Sequence, residues 1–407
     1  MRVAVLGAGF AGLRAAVDLT RAGCEVVVVE ARDRVGGRVW SDELEVDGTR
    51  HVIERGAEFV LDDYRELRAV ARRHAIGLAP TAMSYYRREP REGPDVTDGD
   101  LAAASSMLRR AARVSPPGIS LRSLADGVAA DPDALAVVVA RLELTDGLSA
   151  DELSAATALD PTGDVDTRSC WRVAGGNQRI AEALASELAA PVRLNTEVLG
   201  VDHRGDVVHV ATSRGVVEAD GVIVALPLAV VRTLPFDPAP PTPTRDAWRR
   251  AGMAHNAKLH VPVRGRPPAG AVLSVDRRYW CWTATDASGS VQPVLHCFAG
   301  SPEALDRLGA YDGPSTWARA AAALRPELSL DVDRAVVSTW NDDRFAGESY
   351  SALTVRDRPG DAGLAVPDFA RVVFAGEHLA GAFAGLMEGA LRTGVEAAEQ
   401  LLARMRA

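Results

Sequence analysis

Residues 2–12 read RVAVLGAGFAG, a short apolar run that breaks into Gly7-x-Gly9-x-x-Gly12. A helical stretch, LRAAVDLTRAG, follows and closes at Gly23. CEVVVVE then reads as a second strand ending in Glu30. Strand, glycine turn, helix and strand in this order form a dinucleotide-binding unit. Gly7 permits the tight turn, Gly9 lets the backbone approach a pyrophosphate, and Gly12 lets helix and strand pack closely. Ala8, Phe10 and Ala11 fill the same candidate phosphate site. The helix start offers free N–H groups and positive potential to phosphates. Glu30, eighteen residues past Gly12, can accept hydrogen bonds from a ribose. It favours an unphosphorylated ribose over NADP and leaves NAD and FAD both open. A ligand-free glycine turn is the plain alternative, and Glu30 in this setting argues against it.

The chain has 407 residues and is 47% hydrophobic, which suits two domains or one large α/β body with an inserted lobe. A net charge of −9 argues against nucleic acid, whose phosphates want a basic surface. Four scattered cysteines (Cys24, Cys170, Cys281, Cys297) make no metal-binding pattern and suit a reducing cytoplasm. The residues before Gly7 are too few for a signal peptide. No apolar run reaches the ~20 residues of a membrane helix, so no membrane partner is expected. After the first unit, 62–113 reads as mostly helical. VSPPG at 114–118 breaks it, and short helices run on to Gly163. A helix begins after Gly176, and several short strands fill 191–228. The five prolines of PFDPAPPTPT, 235–244, mark a linker. Strands over 255–300, a helical stretch over 302–325, a late buried strand RVVFAGEH and a C-terminal helix complete the pattern.

The stretch EARDRVGGRVW, 30–40, extends the first motif. Ala31 and Arg32 follow Glu30. Gly36–Gly37 and then Arg38 give a backbone nest plus a guanidinium, a second phosphate contact. Here the chain resembles the flavin-dependent amine oxidases, the family of monoamine and polyamine oxidases. The resemblance extends through GAEFV (Gly56, Ala57, Glu58, Phe59), RVAGGNQRIAEAL, LNTEV with Val198, ADGVIVALPL, WNDDRFAGESY and VFAGEHLAGAFAGLMEGA (Gly376, Glu377, Leu386, Met387, Ala390). It covers most of the chain and leaves 62–165 and 265–335 without specific matches.

The resemblance implies an α/β fold: a Rossmann-like FAD-binding domain from 1–62, 166–240 and 350–407, discontinuous in sequence, and a mixed α+β substrate domain from 63–165 and 241–349. It implies FAD as cofactor. It also implies hydride transfer from the C–N bond of an amine or amino acid to flavin N5, hydrolysis of the imine, and reduction of O2 to H2O2. A carbon–carbon desaturase or protoporphyrinogen-type oxidase, and a non-catalytic flavoprotein, are the competing readings. No metal is expected. Oligomeric state is not legible, and a homodimer is carried as a candidate.

Of 46 lysines and arginines, only Lys258 is a lysine. It falls in HNAKLHVPV, whose strand alternation puts Ala257, Leu259, Val261 and Val263 on one face and Asn256, Lys258 and His260 on the other. A solvated strand face is the plain reading. The resemblance implies instead a lysine that holds a water near flavin N5 and assists reoxidation by oxygen. A compact, tunable cation suits that electrostatic role.

The family's motifs also expose departures. The position that carries a flavin-linking cysteine in some members is Ser349, so non-covalent FAD is expected. Of the two rings of the substrate cage, Tyr350 supplies one and Leu386 stands at the other. Lys258, Tyr350 and Trp340 are the candidate catalytic residues. Trp340 packs either on the flavin or in a core. Glu58, Phe59, Tyr350 and Leu386 are the candidate substrate pocket. Glu58 either attracts a cationic amine or pairs with an arginine. An amino-acid substrate would need a guanidinium that the sequence does not single out. The unmatched segments are expected to build the pocket wall.

Overall fold

A computed structural model describes residues 1–160, 163, 165, 168–357 and 366–406. Residue 166, where the sequence division resumes the first domain, and Ala407 lie outside them. Among the described residues no helix is long and apolar enough to cross a membrane.

The glycine unit folds as its spacing predicts. Strand β1 (Arg2–Leu6), helix α1 (Phe10–Arg21) and strand β2 (Glu25–Val29) follow one another. The sheet is parallel, in the order β2, β1, Gly221–Val224, Val372–Phe374. Sequence-distant segments thus become neighbours, and both faces of the sheet are covered. That explains the unbroken valine runs. Gly12 sits in the first turn of α1, where an added Cβ would stand 2.0 Å from the Gly7 carbonyl oxygen. The C-terminal helix Met387–Arg406 crosses α1 closely, because a Cβ at Gly394 would come within 2.5 Å of the Ala11 carbonyl oxygen. Phe10, Leu13, Leu391 and Leu401 share one core there.

A second sheet has six strands, in the order Val336–Thr339, Asn256–Pro262, Val294–Gly300, Tyr279–Thr283, Gly270–Ser274, Glu89–Arg91. One face packs on Pro302–Leu308 and Ser315–Leu324 through Trp317 and Leu305. The other, with Trp280 and Trp282, packs on helices from 98–146. Helix Pro132–Asp146 starts where Asp131 accepts from Asp133 N–H at 2.8 Å and Ala134 N–H at 2.9 Å, with Pro132 in the first turn. It stops at Gly147, left-handed at φ 68°.

Three sequence expectations need correction. The 62–113 stretch is not mostly helix: strands Leu78–Ser84 and Glu89–Arg91 interrupt helices Arg65–Arg73 and Asp98–Ala112. Their pairing partners lie at 169–173 and 270–274, beyond any local periodicity. The division at 62/63 cuts too early, since Tyr64, Leu67, Val70 and Ala71 join the first core. The start of helix Arg65–Arg73 is held by buried Glu388, which accepts from Glu66 and Leu67 N–H groups at 3.0 and 3.1 Å. Strand Asn256–Pro262 has no solvated face, because every residue in it is buried.

Candidate active site

A cavity of about 570 Å³ opens between the two sheets. At one end stand Gly7, Gly9, Phe10, Ala11, Glu30, Ala31, Arg32, Gly37 and Val198. At the other stand Lys258, Phe59, Tyr350, Tyr85, Trp280 and Trp282. Arg38, Gly56, Ala57, Glu58, Trp340, Gly376, Glu377, Leu386, Met387 and Ala390 also line it. Ala8 and Gly12, predicted at the cofactor, do not line it. They build its floor, as Ala8 N–H donates to Glu30 Oε2 at 2.8 Å and Gly12 packs under Gly7.

The phosphate end fits a dinucleotide. Gly9 caps α1, and a Cβ there would meet nothing within 4 Å. This open space faces the free N–H groups of the helix start. Gly37 approaches Gly9, with its added Cβ 3.3 Å from the Gly9 Cα, and its φ of 60° suits glycine. Glu30 is 7% exposed and accepts from Ala8 and Arg32 N–H groups at 2.8 and 2.9 Å. Each carboxylate oxygen keeps a lone pair for a ribose hydroxyl. Arg38 turns inward: its Nη1 donates to Glu377 Oε1 and to the Ser349 carbonyl, both at 3.0 Å. The motif alone did not show this partner. Burial would raise the Glu377 carboxyl, but Arg38, His378 and the hydrogen bonds from Ser351 and Gly385 together hold it below the ordinary range. Glu348 lies 3.6 Å from Arg38, yet burial prevails there and pushes it up to about 7.

At the far end Lys258 is 6% exposed. Its Nζ donates to Glu58 Oε2 at 2.6 Å and to the Glu54 carbonyl at 3.0 Å. It also lies 5.6 Å from the Trp282 ring centroid. Glu58 is buried and accepts from Trp282 Nε1 at 3.3 Å and Arg172 Nη1 at 3.4 Å as well. Of the two readings of Glu58, the geometry shows the paired acid, with Lys258 nearer than the arginine. Burial would raise this carboxyl, but Lys258 and Arg172 hold it below the ordinary range. Neighbouring Glu54 is pushed up to about 7 by burial, despite the Asn177 N–H bond that opposes it. His260 and His296 face each other behind the lysine, Nδ1 to Nδ1 at 3.1 Å, and burial keeps both far below the usual histidine value.

Trp340 lines the cavity, and its indole donates to the Arg55 carbonyl at 3.2 Å. Tyr350 anchors its hydroxyl on the Thr145 carbonyl. Ser349 donates to Asn256 Oδ1 at 2.7 Å or to the Ala254 carbonyl at 2.8 Å. Leu386 lines the same cavity and offers no ring. A separate aromatic wall lines the cavity together with Tyr350. Phe59 stands 5.2 Å from Tyr85 and 5.3 Å from Trp282, and Trp280 stacks on Trp282 at 4.2 Å between centroids. Sequence reasoning missed Tyr85, Trp280, Trp282 and Asp146. The visible signal for two of them was YWCWT, three rings in four residues of a chain only 5% aromatic.

A family profile of flavin containing amine oxidoreductases matches residues 10–160 and 140–402. AofH of Mycobacterium tuberculosis, assigned by name to the flavin-containing monoamine oxidases, is 30% identical over 98% of this chain and 96% of its own length. The (S)-6-hydroxynicotine oxidase of Paenarthrobacter nicotinovorans is 30% identical over 64% of this chain and 68% of its own. A putrescine oxidase solved with putrescine superimposes with a TM-score of 0.84 over 99% of both chains at 20% identity, a likeness of fold. With its nucleotide cradle, its α/β body and a profile match along nearly its whole length, this chain belongs to the flavin-containing amine oxidoreductase family.

Proposed function

We propose that the protein is an FAD-dependent oxidase that takes a hydride equivalent from the C–N bond of an amine, releases an imine that hydrolyses to a carbonyl, and passes the electrons to O2 to give H2O2. The single observation that carries this reading is the continuity of the cavity, from the phosphate cradle at Gly9 and Glu30 to an aromatic chamber floored by the one lysine. Bound there, FAD supplies the two-electron acceptor and the group that O2 reoxidises.

The chain's own residues supply the rest. Gly7, Gly9, Phe10, Ala11, Gly37 and the start of α1 would hold the pyrophosphate. Glu30 takes the ribose, and Val198 packs at the same end. Gly56, Ala57, Trp340, Gly376, Leu386, Met387 and Ala390 confine the redox end. Ser349 carries no thiol, so the FAD is held without a covalent bond. Tyr350 and the Phe59–Trp282 wall exclude water and disfavour the ammonium form of the reacting nitrogen. Lys258 provides a fixed positive charge where oxygen is reduced. The four cysteines are free in the fold, which suits the cytoplasmic location we assign. The test is peroxide release across monoamines, polyamines and amino acids. Amine-dependent peroxide is expected. No peroxide with any of them, together with oxidation of a polyene or porphyrinogen, would refute the reading.

A further inference from the structure

Each cation lining the cavity is already matched by a carboxylate. Arg32 meets Asp343 at 2.8 Å, Arg38 meets Glu377 at 3.0 Å, Lys258 meets Glu58 at 2.6 Å, and Arg344 meets Glu197. The reverse does not hold. Asp146 lines the same cavity, and among the described residues its carboxylate has no hydrogen bond and no ion pair. Its Oδ2 is fully buried and unpartnered. Burial, and then the charge of Asp160 on the same lining, push its carboxyl well above the ordinary range.

The surroundings of Asp146 favour a cation. It is the last residue of helix Pro132–Asp146, so the negative end of the helix adds to the carboxylate. The preceding carbonyl, of Thr145, accepts the Tyr350 hydroxyl, which ties Asp146 to the proposed amine site. Tyr85 and Trp280 offer ring faces to the same space. Arg88 lies 4.1 Å from the Trp280 ring centroid but does not line the cavity. A substrate carboxylate would therefore meet only cations already paired, with an unpaired acid nearby. A remote ammonium would supply the counter-charge that a carboxylate with one buried, unpartnered oxygen needs.

We propose that Asp146 is the subsite for a second, non-reacting ammonium group, so that the preferred substrates are dicationic amines, α,ω-diamines or polyamines, rather than monoamines or amino acids. This rests on the amine-oxidase reading above. The reacting nitrogen must be neutral, while the distal one stays protonated and bound.

The test compares kcat/KM for an α,ω-diaminoalkane and for the n-alkylamine of equal length, in the wild type and in Asp146→Asn. The wild type favours the diamine. The substitution lowers the diamine-to-monoamine ratio about 10- to 100-fold, the loss lying in KM, as expected for one charged hydrogen bond. Equal losses on both amines, a wild-type ratio at or below one, or an amino acid as best substrate would overturn the proposal. If no amine is oxidised at all, the amine-oxidase reading fails, and diamine binding still decides this one. A diamine-induced rise in the thermal midpoint of the FAD-loaded wild type that is absent in Asp146→Asn supports it, and no rise in the wild type overturns it. If Asp146→Asn does not fold, the wild-type ratio and midpoint shift decide alone.

Discussion

Lys258 Nζ lies 2.6 Å from Glu58 Oε2, across 200 residues of sequence. The strand that carries the lysine is buried on both faces. This pair fixes where the one lysine ammonium sits, and the Glu54 carbonyl at 3.0 Å completes its hold. Lys258→Met should slow reoxidation by O2 about 100-fold after anaerobic reduction, the scale of one preorganised electrostatic contact. Stopped-flow mixing with oxygen measures it. Reoxidation at the parental rate would remove Lys258 from that role.

Glu58→Gln leaves Lys258 and Arg172 buried without their shared anion. The expected loss is about 3 kcal/mol of stability at neutral pH, the scale of a broken buried ion pair. Glu58 has a depressed folded-state pKa, so its contribution is present above the ordinary carboxylate range. It is lost as pH falls through that depressed value. Denaturant midpoints across pH check both, and the variant should lack this acid-side loss.

Glu54 has the opposite sign. Burial pushes its folded carboxyl up to about 7, from an ordinary carboxylate value of 4.5. The folded state therefore binds the proton more tightly than the unfolded chain. Stability is greatest below the unfolded value and falls as pH rises towards 7, by about 3 kcal/mol for this group. Glu348, also raised to about 7, acts in the same direction. Glu54→Gln should flatten the fall between pH 5 and 7 only in part. Denaturant titrations at a series of pH values follow it.

Two glycines of one motif should fail differently. A Cβ at Gly12 strikes the Gly7 carbonyl oxygen at 2.0 Å, whereas at Gly9 it meets nothing. Gly12→Ala should lower the thermal midpoint of the apoprotein and its FAD content together. Gly9→Ala should keep the apoprotein midpoint and weaken FAD binding at least about 10-fold, by filling the space for a pyrophosphate. Calorimetry and FAD titration separate them.

Ser349 offers only a hydroxyl, tied to Asn256 or Ala254. Acid precipitation should therefore release all the flavin into the supernatant. Yellow colour in the washed pellet would contradict non-covalent attachment.

The cradle was legible because its parts are contiguous: Gly7, Gly9, Gly12 and Glu30 lie within one strand–helix–strand unit, and each residue type answers a local demand of turn or packing. Lys258 was legible as a departure in residue usage, but its partner was not. Glu58 could have met any of many arginines, and only the fold brings it to the lysine. The chamber wall was hidden for the same reason. Tyr85, Asp146 and Trp280 come from three separate segments, a loop, a helix end and a strand, and nothing local distinguishes the unpaired Asp146 from the other acids of a strongly charged chain. Arg38 shows the converse case, where a motif placed the residue on the cavity and could not show that Glu377 engages it.

The most direct test is anaerobic mixing of the FAD-loaded protein with an α,ω-diamine while the visible flavin absorbance is followed, and then admission of air. The predicted result is bleaching by the amine, recovery with oxygen, and one peroxide formed per amine consumed. A flavin that keeps its absorbance with every amine, yet bleaches with a polyene or porphyrinogen, would contradict the account.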